Sequence, residues 1–160
     1  MSSARHKLLV AAVLLAILVF SSLVPPVYAD RPVFDIAQIL VDPGDGRKIK
    51  VTVEVATTPM QHQYGLMFVT ALGEDEGMLF VFRVNAMRSF WMKNTLIPLD
   101  ILFFDDKGQL VNAVENVLPQ TLESRRSAAP ARYVFVCLVC VCVFVVVCVC
   151  VCVCVCVCVC

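Results

Sequence analysis

The stretch from Ser89 to Gly108 constrains the fold of this chain more than any other. Two runs rich in apolar and aromatic residues, Ser89–Lys93 and Pro98–Phe104, flank a short polar turn. In the second run Asp100 sits among residues that are apolar on both faces of a strand. A strand of that kind is buried on both faces, and a buried carboxylate needs charged or hydrogen-bonding partners. The sequence therefore predicts a central strand that carries one acidic residue of special purpose.

The two runs also predict a candidate site. If they pair as a hairpin with an even-numbered loop, Trp91, Lys93 and Asp100 share one face, and the two charges are diagonal neighbours. Asn94 lies in the connecting turn. These four residues form our candidate ligand-binding set. The alternative is structural: Asp100 accepts hydrogen bonds that hold the turn, as carboxylates in structural networks often do.

Alternating apolar residues predict most of the remaining strands. Phe34–Val41 and Lys48–Val55 are expected to form a hairpin around the Pro43–Gly46 turn, with Ile49, Val51, Val53 and Val55 facing the core. Further strands are expected in four regions that turn residues separate. These regions are Gly77–Phe82, Arg88–Lys93, Pro98–Phe104 and Gln109–Glu115. A loop is expected over Asn116–Ala131, followed by a strand that begins at Tyr133.

One short helix is expected near residues 59–65. Thr58 is suited to cap it, Pro59 to occupy its first position and Gln61 to complete a capping box. Gly65 is suited to end it, because glycine readily adopts a positive φ. Many short strands and one small helix predict a mainly β fold, a small sandwich or barrel-like antiparallel sheet domain.

Several sequence blocks resemble the domain of unknown function 192 family, in the same order and spacing. The blocks are Val53–Ala56 with Thr58–Pro59, Gly65–Phe68, Glu76–Phe82, Ser89–Asp100, Gly108 with Val111, Pro119 and Pro130–Val134. The resemblance runs from about Phe34 to Val134 and implies a fold but no reaction. It also implies further C-terminal strands that this chain lacks, and arginine at the positions of His62 and Val69.

The N-terminus predicts export. Arg5, His6 and Lys7 precede the apolar run Leu8–Phe20, and a small residue, Ala29, ends the segment. This pattern is typical of a secretory signal peptide over residues 1–29. We expect cleavage after Ala29 and a secreted or periplasmic mature protein. An uncleaved membrane anchor is the alternative, although the apolar run is short for a full span.

The C-terminal residues 137–160 alternate valine and cysteine almost without a break, and all ten cysteines lie there. A GT dinucleotide repeat encodes this alternation, so we interpret the segment as a frameshift or repeat artefact. The alternatives are a transmembrane helix, a metal-binding tract and a strand with all cysteines on one face. Residues 30–136 then form a single β domain.

Charge and composition exclude some functions. Between Asp30 and Val136 there are 11 lysines and arginines against 13 aspartates and glutamates, without a basic stripe. Nucleic acid is therefore not an expected partner. The body contains no cysteine before Cys137, and His62 is its one histidine, so no zinc site is predicted. We expect no cofactor and no stable membrane span in the mature body.

Two groups of residues leave a choice between core and site. Met67, Met78 and Met92 are suited to hold Cu(I) through soft thioethers, or simply to fill gaps in a phenylalanine-rich core. Trp91, Phe90, Phe68 and Phe80 are suited to line a concave pocket, or again to form core. In both cases the core interpretation is favoured. His62 is expected to be exposed.

Three functional hypotheses remain at this point. The first is an exported, non-enzymatic β domain that binds a small molecule or an envelope component through Trp91, Lys93, Asn94 and Asp100. The second is an enzyme in which Asp100 is the general acid or base and Lys93 adjusts its pKa. The third is a structural accessory domain. Binding is favoured over catalysis.

Overall fold

The computed structural model describes residues 31–42 and 47–138. The predicted signal peptide, the Pro43–Gly46 turn and the Val-Cys alternation after Leu138 lie outside these residues. The described part contains eight strands and one helix. They are β1 (Asp35–Val41), β2 (Ile49–Ala56), α1 (Pro59–Tyr64), β3 (Glu76–Ala86), β4 (Ser89–Phe90), β5 (Leu99–Phe104), β6 (Leu110–Val117), β7 (Arg125–Arg126) and β8 (Ala131–Cys137).

Six of the strands form one sheet in the order β1-β2-β3-β8-β5-β6, and β4 and β7 form a separate ribbon. The mainly β fold is confirmed. The sheet is not closed into a barrel, and it is not wholly antiparallel, because β2 and β3 run parallel. A parallel pair requires a long crossover connection. Helix α1 and the segment after it provide that crossover between β2 and β3.

Helix α1 forms where its capping residues predict. The Thr58 hydroxyl accepts a hydrogen bond from the Gln61 N–H at 3.3 Å, and the Gln61 Oε1 accepts one from the Thr58 N–H at 3.0 Å. Pro59 is the first helical residue, and Gly65 ends the helix with a φ of 52°. Because the caps satisfy backbone donors that a short helix leaves free, a helix of six residues is stable here.

Strands β1 and β2 form the predicted antiparallel pair, with Ile39 opposite Val51. Val51, Val53 and Val55 are buried, as expected. Ile49 is 37% exposed, so its prediction as a core residue is wrong. Ile49 is the first residue of β2 and pairs with Val41, the last residue of β1, next to the connection between the two strands, so it lies at the margin of the core.

The six-stranded sheet buries a separate hydrophobic core on each face. In the first, which we call the strand core, every described buried member lies on a strand: Ile39, Val41, Val51, Val53, Val55, Leu79, Leu102, Phe104, Phe135 and Cys137. In the second, the mixed core, strand residues pack against residues of the connecting segments: Phe34, Ala56, Leu66, Met78, Phe80, Met92, Leu99, Ile101, Phe103, Val117, Ala131, Val134 and Val136. Neighbouring residues of β5 alternate between the two cores, as strand geometry requires.

Several strand boundaries differ from those that the sequence predicts, and two of the differences bear on the site and on the tail. Only Ser89–Phe90 of the run Arg88–Lys93 is a strand, and it pairs with β7, which lies inside the expected loop. Strand β8 continues through Cys137, whose side chain is buried in the strand core. The first residue of the presumed tail is therefore an integral part of the sheet. In the described residues, no helix has the length and apolar character needed to span a membrane.

Candidate functional site

The hairpin on which the candidate site was predicted does not form. Strand β4 pairs with β7, while β5 lies between β8 and β6. Residues 91–98 form a connecting segment instead of a strand. The alternation that placed Trp91, Lys93 and Asp100 on one face therefore does not apply, because side-chain alternation across a pair exists only where two strands are in register.

Asp100 is buried, with 2% of its surface exposed, as its apolar surroundings predict. Its neighbours Leu99 and Ile101 belong to the mixed core, so Asp100 points to the opposite face, toward the strand core. Its carboxylate accepts a hydrogen bond from the Asn116 N–H at 2.6 Å. A hydrogen bond from a backbone N–H to a charged carboxylate is stronger than one between neutral groups, so this contact fixes Asp100 to β6.

The Asn116 N–H is available to Asp100 because β6 contains a bulge. Leu99 pairs with Val117 and Ile101 pairs with Val114, so β6 has one residue more than β5 over this interval. Asn116 has a φ of 48°, a conformation that asparagine tolerates better than most residues. An extra residue leaves a backbone group without a partner in the sheet, and Asp100 supplies that partner. This contact is structural, as in the alternative interpretation, but it holds the bulge of β6, whereas that interpretation expected Asp100 to hold the turn that follows Lys93.

Trp91, Lys93 and Asn94 lie together in a tight turn that follows β4. The Met92 carbonyl accepts a hydrogen bond from the Thr95 N–H at 3.1 Å, and Asn94 has a φ of 55°. Lys93 is exposed, and its ammonium lies 5.4 Å from the centre of the Trp91 ring, within the range of a cation–π interaction. The structure therefore groups three of the four predicted residues and places Asp100 on the other face of the sheet.

A cleft lies between this turn and helix α1. One wall consists of His62, Tyr64 and the residues that end the helix, and the other consists of Thr95 and the four residues from Phe90 to Lys93. Strands of the mixed core form the floor, with Phe80, Leu99, Ile101 and Val136. Its free volume of about 50 Å³ is far below the roughly 300–1,000 Å³ of pockets that enclose a drug-sized ligand. The cleft fits a group the size of one side chain.

The lining of the cleft is apolar with a few polar groups. The lining residues within the described part of the chain include no aspartate or glutamate, and Lys93 is their one permanently charged side chain. Trp91 is 51% exposed at the rim. An exposed indole beside a lone cation suits a ligand with an apolar body and an anionic end.

His62 is half-buried in the wall of the cleft, so the expectation of an exposed histidine is wrong. Its ring centre lies 4.4 Å from that of Phe82, and its Nε2 is 3.0 Å from the Ala56 carbonyl oxygen. Because a carbonyl oxygen only accepts, this geometry places a proton on Nε2. Packing of α1 against the sheet buries a residue that the sequence places on a short, exposed helix.

The aromatic and methionine groups divide between core and cleft. Phe80 and Phe90 line the cleft and meet edge to face at 4.9 Å, whereas Phe68 is half-exposed outside it. Met78 and Met92 are buried in the mixed core, which matches the gap-filling interpretation. The described residues contain no group of three or more histidines, cysteines or acids arranged to hold a metal ion.

Sequence reasoning missed His62 and Tyr64 as cleft residues. One signal was present: the family resemblance implies arginine at position 62, a polar residue that the fold places in the wall of the cleft. The apolar periodicity of the chain carries no such signal, because α1 has only six residues.

Comparison with known families agrees with this fold. The model of the family described as DUF192, Uncharacterized ACR, matches residues 41–136. The chain belongs to this family. The match spans most of the six-stranded sheet and all of the residues that line the cleft. The comparison with curated proteins gives no significant match.

Two solved structures are similar to the chain over most of its described length. A protein of Sinorhizobium meliloti described as a proposed transcription regulator is 32% identical, with a TM-score of 0.66. That match covers 68% of this chain and 84% of the other. A protein of unknown function from Novosphingobium aromaticivorans is 33% identical, with a TM-score of 0.63, and the match covers 71% and 78% of the two chains.

Proposed function

We propose that this DUF192 domain is the binding domain of an exported protein. It holds one apolar, side-chain-sized group of a small molecule or envelope component in the cleft between α1 and the Phe90–Thr95 segment. The ligand carries a carboxylate or similar anionic group that lies beside the Lys93 ammonium. Catalysis is not part of the proposal.

The observation that carries this proposal is the half-exposed Trp91 at the rim of an apolar cleft. An indole buries a large apolar area when it is covered, so leaving it half in water forgoes stabilisation that a ligand can recover. A binding site of small size and few polar groups is consistent with a specific contact to part of a larger molecule.

Lys93 supports the anionic end of the ligand. It is the one permanently charged residue of the cleft lining within the described chain, and its nearest aromatic contact is Trp91 at 5.4 Å. Within the described residues Lys93 forms no salt bridge, so its ammonium can approach a carboxylate without first losing another ionic partner. The expected gain is modest, because exposed ion pairs contribute only about 0.2–1 kcal/mol.

The enzymatic alternative receives no support from the geometry. It needs Lys93 beside Asp100, but Lys93 borders the cleft while Asp100 points toward the strand core and accepts the Asn116 N–H. The third hypothesis, a structural accessory domain, predicts that no ligand binds the cleft.

Trp91 is the only tryptophan in the chain, so its fluorescence reports directly on the cleft. The test is a titration of the full chain with N-acetyl-leucine, N-acetyl-leucinamide and N-acetylglycine, none of which fluoresces. We expect N-acetyl-leucine to change the Trp91 emission with saturation. The amide should bind about two- to fivefold more weakly because it lacks the carboxylate, and N-acetylglycine should bind weakest because it lacks the apolar group.

Two variants complete the test. Lys93→Gln should abolish the difference between the acid and the amide, whereas Lys107→Gln, an exposed lysine in the β5–β6 turn, should preserve it. Met67→Phe should weaken all three probes, because Met67 lines the cleft and a larger side chain fills it. Emission that stays unchanged with every probe would overturn the proposed ligand chemistry and favour the accessory domain.

A further inference from the structure

Three segments that carry exposed apolar side chains are held together at one end of the domain. They are residues 66–72, 91–99 and 116–122, and we call them together the apolar end. The Phe68 N–H donates to the Asn94 carbonyl at 2.9 Å, and the Gln120 N–H donates to the Thr95 carbonyl at 3.0 Å. The Met92 N–H donates to the Thr121 carbonyl at 2.9 Å. These bonds make the three segments one connected surface.

The apolar end exposes large hydrophobic side chains from every one of its segments. Their exposed fractions range from 40% to 68% for Phe68, Trp91, Leu96, Leu118 and Leu122. Single exposed apolar residues are ordinary, but a group on adjoining segments marks an interaction surface. The cleft accounts for Trp91 alone among these five, so the other four remain to be explained.

Charge is nearly absent from the same segments. Lys93 is the single charged residue among positions 66–72, 91–99 and 116–122. The acidic turn Glu74–Glu76 follows the first segment, and Glu123 follows the last; the Glu123 carboxylate pairs with Arg125 at 2.9 Å. An apolar surface with a single cation at its centre and acids only at its border is complementary to lipid, in which phosphates lie just above the acyl chains.

Several backbone N–H and C=O groups of the apolar end are already hydrogen-bonded within the protein, which lowers the cost of placing them in a medium with little water. Loops are costly to place there because their N–H and C=O groups lose water as a partner. Here the inter-segment bonds already use several of these groups, and the turn bond from the Thr95 N–H to the Met92 carbonyl uses another pair. Each of the three segments also contains one residue with a positive φ, which sets the local course of its backbone. The values are 64° at Phe68, 55° at Asn94 and 58° at Gln120.

We propose that the apolar end docks onto the surface of a phospholipid membrane. Its five exposed apolar side chains enter the boundary between headgroups and acyl chains, and the Lys93 ammonium reaches a lipid phosphate. The five are Phe68, Trp91, Leu96, Leu118 and Leu122. Tryptophan and lysine are both favoured at that depth, because each combines an apolar body with a polar tip. This docking shares Trp91 and Lys93 with the ligand proposed for the cleft, whereas the exposed leucines and Phe68 serve the membrane contact alone.

The test measures quenching of Trp91 by vesicles with bromine-labelled acyl chains. Because Trp91 is the only tryptophan, quenching reports contact between the apolar end and the acyl chains. Membrane binding through either terminal segment alone would not produce it. We expect quenching with phosphatidylcholine vesicles. Adding phosphatidylglycerol should lower the required lipid concentration by no more than about fivefold, since one basic residue contributes about 1 kcal/mol.

The double variant Leu118→Ser/Leu122→Ser should raise the lipid concentration for half-maximal quenching at least about tenfold, because two exposed leucines are lost. Ile36→Ser/Val84→Ser is the matched control: these residues are 65% and 66% exposed but lie outside the apolar end, so quenching should stay unchanged. The leucine variant should still give the wild-type titration with N-acetyl-leucine, because neither leucine lines the cleft.

Three results would overturn the proposal. The first is absence of quenching with both vesicle types. The second is an equal loss of quenching in the control variant. The third is concentration-dependent dimerisation of the wild type without vesicles that the leucine variant abolishes, which would identify a second copy of the chain as the occupant of the surface.

Discussion

The two faces of the six-stranded sheet are packed by different kinds of residues. On one face the buried members of the strand core all lie on strands, and a buried carboxylate is held by a bulge within the sheet. On the other face residues of the connecting segments belong to the mixed core, and helix α1 contacts it through His62, whose ring lies 6.1 Å from that of Phe80. Among the described residues, the cleft lies on this second face, and the apolar end adjoins the cleft through Trp91 and Met92.

The difference shows where this fold can accommodate binding. A face packed by strands alone has close backbone spacing, and its side chains leave little free space. A face covered by a short helix and turns has edges at which the cover ends, and there apolar side chains meet solvent. We therefore expect substitutions in the strand core to change stability without changing binding, and substitutions at the edge of the mixed core to do the reverse.

Gly77 gives the largest expected effect. A Cβ at this position in β3 meets the Phe135 ring and lies 2.7 Å from the Val136 carbonyl oxygen, which is backbone and cannot easily move. Gly77→Ala should lower the free energy of unfolding by about 3 kcal/mol or more, measured by urea denaturation. Gly73→Ala is the matched control, because its Cβ meets only the flexible Glu76 side chain at 3.1 Å. Equal stability of the two variants would refute close packing on the strand face.

Asp100→Asn tests the strand face at a polar position. Loss of the charge weakens the bond from the Asn116 N–H and leaves an amide group in a buried site. The expected loss of unfolding free energy is about 2 kcal/mol. Asp105→Asn provides the comparison, because the Asp105 carboxylate accepts the Lys107 and Gln109 N–H groups at 2.9 and 2.8 Å in a surface turn.

The comparison has two informative outcomes. Asp100→Asn should destabilise the protein more than Asp105→Asn, and the Trp91 titration should be unchanged in both. A wild-type unfolding curve for Asp100→Asn, combined with an altered titration, would contradict the separation of the two faces.

Thr58→Ala gives the smallest expected effect and tests the cover of the mixed core. The hydroxyl caps α1 by accepting the Gln61 N–H at 3.3 Å. Its removal should cost about 1 kcal/mol of stability, measured in the same denaturation experiment. Thr70→Ala, an exposed threonine beyond the helix, should have little effect. Because α1 forms one wall of the cleft, the Trp91 titration should weaken in Thr58→Ala alone; equal titrations would show that the helix position does not shape the cleft.

Local sequence signals predicted the elements that local interactions stabilise. The capping residues Thr58, Pro59, Gln61 and Gly65 all interact within a few positions of one another, and the helix forms between them as expected. The alternation in β2 likewise predicted the buried positions Val51, Val53 and Val55. Errors occurred where partners are distant: pairing of β4 with β7 joins residues more than thirty positions apart, and no local pattern records it.

The candidate site shows the same division. The sequence established that Asp100 is buried, because a carboxylate between apolar residues of a strand has no route to water. It also placed Trp91, Lys93 and Asn94 close to one another because they are near neighbours in the chain, although Trp91 and Lys93 were expected on a strand and lie in a turn. Which face each side chain occupies depended on strand pairing. Because the strand pairing was predicted wrongly, Asp100 was expected on the wrong face of the sheet.

The amino-acid sequence by itself determined the mainly β character of the domain, its short capped helix and the burial of one acid. These features follow from hydrophobic periodicity and from hydrogen bonds between near neighbours. Only the tertiary structure decided that β2 and β3 run parallel, that His62 lies in a wall of the cleft and that three distant segments share one apolar surface. The reason is physical: such contacts join residues far apart in the chain, and their energy exists only when the whole sheet has formed.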